Sequence, residues 1–193
     1  IETGLEDVGG GPDITLSFSF GRPGTFNADT DFSADLSFER LDEPDYLLTQ
    51  AVGDAGFIKY VRDDLTYEAA LGFITAREET PYRVRDYTLV TLPLDATLDH
   101  RNDSFDATSG YYIDVSVTPF LGITGSDDGG RVYADARYYR SFGANDRVTF
   151  AVRGQVGSVW GADLMSAPRD FLFYSGGGGT VRGQPYQDLG IDI

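Results

Sequence analysis

The sequence predicts an all-β protein, an antiparallel transmembrane β-barrel. Three observations carry that reading. Apolar and polar residues alternate with a period of two along most of the chain. The alternating runs are 10 to 16 residues long, whereas strands of soluble sandwiches average about 5–6 residues and a tilted membrane strand needs about 9–11. No run of about 18 apolar residues offers a transmembrane helix. Run length is the discriminating feature, because a soluble sandwich alternates too.

The elements follow in order. Residues 1–12, with Gly9-Gly10-Gly11-Pro12, read as a loop or the end of a lost strand. Ile14, Leu16, Phe18 and Phe20 then oppose Thr15, Ser17 and Ser19. From Phe26 to Glu39 one phase is apolar except for Thr30, and the other is wholly polar, with Asp29, Asp31 and Asp35 on it. Six further runs read as strands: Tyr46–Tyr60, Leu65–Thr75, Tyr87–His100, Tyr111–Phe120, Val132–Phe142 and Val148–Val159. Asp114, Ser116 and Thr118 oppose Ile113, Val115 and Val117, and Tyr133, Asp135, Arg137 and Tyr139 oppose Val132, Ala134, Ala136 and Tyr138. That makes eight strands, each with one wet and one apolar face.

The connections also alternate. Gly21–Gly24, Val61–Asp64 and Gly143–Arg147 read as compact turns rich in Gly, Pro, Asn and Asp. Leu41–Asp45, Ala76–Asp86, Leu121–Gly130 and the stretch after Trp160 read as mostly longer connections. Outer-membrane barrels have short periplasmic turns and longer external loops, so the second set is expected outside. Arg101–Gly110 falls on the periplasmic side by parity despite its length.

Composition narrows the function classes. The 193 residues carry 15 basic and 31 acidic side chains, a net charge of −16. Binding nucleic acid needs a basic face, and none of the arginines nor Lys59 forms a cluster. The aromatic content of 13% and the strong periodicity argue against disorder. The absence of cysteine removes disulfide scaffolds, zinc ribbons and thiol catalysis. The chain begins at Ile1, and is expected to be an excised or processed piece.

Gly176, Gly177, Gly178 and Gly179 are followed by Thr-Val-Arg rather than Gly-Lys-Ser/Thr, which rejects a phosphate loop. They suit a loop that bends sharply and approaches a wall closely. Asn27, Asp29, Asp31 and Asp35 have a passing calcium-loop spacing, but Phe32 and Phe38 occupy the positions that need Gly and Glu. His100 is the only histidine. Its neighbour Asp99 points to the opposite face of a strand, so the two make no catalytic couple. No enzyme activity, metal or cofactor is expected. Trp160, Tyr60, Tyr87 and Tyr111, near strand ends, suit either interfacial aromatic belts or ordinary strand packing.

The last third carries Phe171-Leu-Phe-Tyr-Ser, the four glycines, Thr180, then Val181-Arg182-Gly183. Upstream stand Asp99-His-Arg101-Asn102 and Phe105-Asp-Ala-Thr-Ser-Gly110. Together these resemble the sixth external loop and a periplasmic turn of the outer-membrane assembly and translocation superfamily, the bacterial surface antigen family that includes BamA, TamA and the two-partner secretion transporters. Arg22-Pro-Gly-Thr-Phe26 and Gly161-Ala-Asp-Leu164 resemble the TamA branch most. Gln184 departs from the family's usual aromatic.

The resemblance implies that residues 1–193 form one partial barrel domain, about eight strands of a sixteen-strand barrel, roughly the fourth to the eleventh, with the Val-Arg-Gly loop. The remaining strands and the periplasmic POTRA domains would lie outside the chain. It implies a place in the Gram-negative outer membrane and insertion of autotransporter-type client proteins without nucleotide hydrolysis. The implied partners are client outer-membrane proteins, membrane lipid, lipopolysaccharide and a TamB-like inner-membrane-anchored protein. A two-partner secretion pore, a BamA-like factor and a soluble β-sandwich binding module are the alternatives. It further implies that the loop folds into the lumen, where Arg182 pairs with acidic wall groups. The polar phases offer Asp29, Asp31, Asp35, Glu39 and Asp135, while the resemblance places the family's preferred partners on strands after the loop, outside this chain.

Overall fold

The computed structural model of the protein describes residues 11–43, 46–143, 147–163 and 166–173. They form one antiparallel sheet of nine strands: β1 (Ile14–Arg22), β2 (Thr30–Glu43), β3 (Tyr46–Arg62), β4 (Leu65–Thr80), β5 (Arg83–Thr91), β6 (Leu94–Asp99), β7 (Ser109–Thr124), β8 (Gly129–Phe142) and β9 (Val148–Trp160). Each strand pairs with its neighbours in sequence, except that β5 and β6 share one place between β4 and β7. The wall therefore has eight positions.

Tyr87–His100, expected as one strand, follows one path with a break at Leu92-Pro93. Register is continuous across it: Gly72 faces Thr91 and Ala69 faces Leu94. Ala70 N–H donates to Pro93 O and Leu92 N–H to Pro119 O, both at 3.0 Å. Neither bond can be reciprocated, because both prolines lack an N–H. Two seams thus lose a ladder bond at the same level.

The expected contrast of short and long connections does not hold. Ala76–Asp86 is strand on both sides of a two-residue turn, Pro81-Tyr82. β7 runs to Thr124, so the next connection is only Gly125–Asp128. The charged residues there are strand: on the outer face Arg77 donates to Glu79 at 2.7 Å and reaches Asp86 on β5 at 3.4 Å, while Glu78 and Arg85 are buried on the inner face. The run expected from Phe26 starts at Thr30, with Phe26 in the left-handed region at φ 71° and Asp29 in the turn. The end carrying the β2–β3, β4–β5 and β7–β8 connections is called here the upper rim, and the opposite end the lower rim.

Alternation sorts the side chains by face. The outer face carries Ile14, Leu16, Phe18 and Phe20 beside Phe38, Leu36, Ala34 and Phe32. On β4 the apolar outer stretch runs from Leu65 to Phe73, nine residues, which matches a tilted membrane strand. Above it the same face turns polar, with Thr75 and Thr88 hydroxyls 3.0 Å apart and the Arg77 pairs beyond. Strands β2 to β5 therefore rise above the hydrocarbon at the upper rim. Toward the lower rim Phe20, Phe32, Phe57 and Phe26 form a chain of ring contacts at 5.4 to 6.3 Å. That contact accompanies the costly backbone of Phe26.

Candidate functional site

The inner face is polar in its lower half and apolar near the upper rim. Leu48, Ile74, Ala76, Tyr87, Leu89 and Phe120 are buried there as one cluster, with Leu41, Tyr46 and Val52 packed against it. A single sheet cannot bury its own face, so something must cover it. The cover is the segment after β9. Ser166–Phe173, with a 3₁₀ turn over Arg169–Phe171, crosses the inner face and adds Phe171 to the cluster, its ring 5.0 Å from Phe120.

Polar contacts fix the seat. Arg169 Nε donates to Glu78 Oε1 on β4 at 2.6 Å, and its guanidinium lies 4.3 Å over the Tyr46 ring. Asp170 accepts from Gln50 Nε2 on β3 at 3.1 Å, and the same nitrogen donates to Glu39 at 2.9 Å. Two carboxylates thus orient the Gln50 amide. Arg85 on β5, 8% exposed, donates to the backbone carbonyls of Gly125, Ser166 and Ala167. Phe173 stacks on Tyr133 at 6.0 Å beneath the Arg131 guanidinium, and its ring covers Gly157, where a side chain would collide. The Tyr87 hydroxyl and Gln50 Oε1 are buried with no hydrogen-bond partner among the described residues.

Several residues singled out from the sequence lie elsewhere. Val181, Arg182, Gly183 and Gly176 to Gly179 are outside the described residues. Of the acidic residues considered for Arg182, Asp29 is off the wall, paired with Lys59 at 2.6 Å in a lower-rim turn. That partner holds its carboxyl below the usual range. Asp135 is on the inner wall, but Arg137 and Arg153 clamp it at 2.7 and 2.6 Å. Glu39 is engaged by Gln50, and Asp31 accepts from Gly24 N–H at 3.0 Å. Asp35 faces Asp54 directly across the β2–β3 pair, two like charges side by side. Tyr87 is no belt residue, being buried on the inner face, and Tyr60 shares the inner phase. Tyr111 and Trp160 point outward.

The turn at the lower rim is ordered by its own side chains. Arg101 grips Asp99 with Nε and Nη2 at 2.8 and 2.6 Å, which raises the guanidinium's proton affinity. Asn102 accepts from Thr108 and Ser109 N–H at 3.0 and 2.9 Å and donates to Thr108 Oγ1 at 2.8 Å. Gly110, at φ 101°, lets the chain pass against His100 O where a Cβ would collide. Asp103 accepts from Asp106 and Phe105 N–H, which lowers its carboxyl.

Gln50, Glu78, Arg85 and Phe120 were not legible as site residues. A signal existed: Leu48, Ile74, Leu89 and Phe120 are apolar residues on the phase that is polar elsewhere.

Comparisons with known proteins agree with this architecture. The family model described as the Omp85 superfamily domain matches residues 7–193. The solved structure of BamA from Haemophilus ducreyi lacking POTRA domains 1-3 superposes with a TM-score of 0.83 at 14% identity, covering 93% of this chain. The chain spans 39% of that protein, and the likeness is one of fold. No curated protein sequence matches.

Proposed function

The chain belongs to the Omp85 superfamily, and from that premise we propose that it is part of a barrel that inserts or translocates other outer-membrane proteins, its lumen closed at the upper rim by the segment after β9. It resides in the bacterial outer membrane. The observation that carries the reading is the seat itself, Ser166–Phe173 lying across the inner wall from β3 to β8. A passive porin has no use for a packed apolar core across its mouth.

No nucleotide step is required. Work of this kind is done by main-chain pairing, in which an unpaired strand edge at a barrel seam templates an incoming strand. The segment keeps the lumen shut while that exchange proceeds in the membrane. Beyond Phe173 the chain reaches Arg182 in nine residues, up to about 30 Å if extended. Within this chain we propose the Asp35–Asp54 pair on the lower inner wall as an acidic partner for it, since a guanidinium offers five donors to two crowded carboxylates. We assign Val181-Arg182-Gly183 as the motif of that lumen contact, Gly176 to Gly179 as the bend leading to it, and Asp99, Arg101, Asn102 and Gly110 as the brace of the periplasmic turn.

The finer reading is TamA-like, supported by Arg22-Pro-Gly-Thr-Phe26 and Gly161-Ala-Asp-Leu164. Its clients would be autotransporter-type proteins, its partners a TamB-like protein and lipopolysaccharide. Depleting the full-length protein in its own cell tests this. Loss of assembled autotransporters is expected; normal levels of all outer-membrane barrels would contradict it, and loss of one dedicated secreted protein would favour a secretion pore. Arg182→Ala should lower heat-modifiability of the barrel or client levels, and no change in either would refute the Arg182 assignment.

A further inference from the structure

We propose that Arg85 is the positioning residue that delivers the post-β9 segment to its seat, by tying it to the β7–β8 connection as one unit. The proposal rests on the closure reading above. Arg85 stands on the inner face of β5 directly across from Glu78 on β4. Among the described residues its fork reaches three carbonyls: Nε to Gly125 O at 3.2 Å, Nη1 to Ala167 O at 3.2 Å and Nη2 to Ser166 O. The Tyr87 ring 4.6 Å away supports the guanidinium plane.

The two tethered pieces also hold each other. Ser126 Oγ donates to Ser166 O at 3.0 Å, and Ser166 Oγ donates to Asp127 Oδ2 at 2.6 Å. Gly125, at φ 64°, lets the connection press against β5, where a Cβ would strike Asp86 O. The triangle is closed: β5 to the connection, the connection to the segment, and the segment back to β5.

The acceptors on the segment are main-chain carbonyls, so Arg85 reads the path of the backbone rather than its side chains. That fixes where the segment turns inward before Arg169, Asp170 and Phe171 meet Glu78, Gln50 and Phe120. A lysine cannot substitute, because one ammonium lacks the planar fork that serves three divergent acceptors. The β7–β8 connection and the segment must then leave the mouth together.

The test uses the full-length protein in the outer membrane, reading influx of a large antibiotic or dye beside heat-modifiability. Arg85→Gln should leave a heat-modifiable barrel while influx rises at least about tenfold, the effect of losing a charge-assisted hydrogen bond. Arg85→Lys should fall between. Should Arg85→Gln fail to fold, the double change Ser126→Ala with Ser166→Ala weakens the same triangle without touching the buried arginine, and should also raise influx. Replacing Ser166–Phe173 by a Gly/Ser linker of equal length sets the ceiling. No rise with the linker overturns closure itself. A rise with the linker, but wild-type influx in the folded Arg85→Gln or Arg85→Lys protein, overturns the role of Arg85 alone.

Discussion

The same strands build two different inner walls. In the lower half Asp35, Asp54, Glu68, Asp95 and Asp114 share the inward phase, and Asp135 is held by Arg137 and Arg153. Near the upper rim the same phase carries Leu48, Ile74, Tyr87 and Leu89, all buried under the returning segment. Alternation decides which way a side chain points. What it meets there depends on whether a second layer exists, and that is a property of the chain about a hundred residues away.

The contrast can be broken most directly at its apolar end. Phe171→Ala should weaken docking of the segment by about 3 kcal/mol, the usual cost of emptying a buried aromatic site. Protease sensitivity of the segment in the folded barrel would report it, and unchanged resistance would show that the cluster does not hold the cover. Glu78→Gln should cost less, about 1–2 kcal/mol, because a neutral amide still accepts a hydrogen bond from Arg169. The same assay should rank it below Phe171→Ala.

At the wet end effects should be smaller and depend on pH. The Asp103 carboxyl is lowered by Asp106 and Phe105 N–H donation. Its contribution is therefore present above its unfolded value and lost as pH falls through the lower, folded one. Amide exchange of Phe105 and Asp106 should speed up below about pH 4 relative to intrinsic rates; flat protection would contradict the cap. The smallest effect is expected from Tyr87→Phe. Its hydroxyl is buried with no partner among the described residues, so removal should be neutral or slightly stabilising. A clear loss of stability would reveal a partner for it.

Much of the wall was legible in the sequence. The phases of β1, β2, β7 and β8 follow from strict alternation, and the lower-rim turn from Asp99, Arg101 and Asn102 in a tight span. The β4–β5 hairpin was not legible, because Arg77, Glu78, Glu79 and Asp86 look like loop residues. They form strand above the membrane, where cross-strand charge pairs replace apolar contacts. The break at Pro93 needed knowledge that Pro119 lies beside it. The seat stayed hidden because Gln50 meets Asp170, and Arg85 meets Ser166, across separations that no local pattern encodes.

Ser166–Phe173 sits inside the mouth against the β7–β8 connection. The chain has no cysteine, so Ser126→Cys with Ser166→Cys introduces the only thiol pair within it. In the full-length protein in its membrane, a short bifunctional thiol reagent should join the two, since the Ser126 hydroxyl lies 3.0 Å from Ser166 O and the two residues are in contact. Two free thiols persisting in a folded, heat-modifiable barrel would contradict the account.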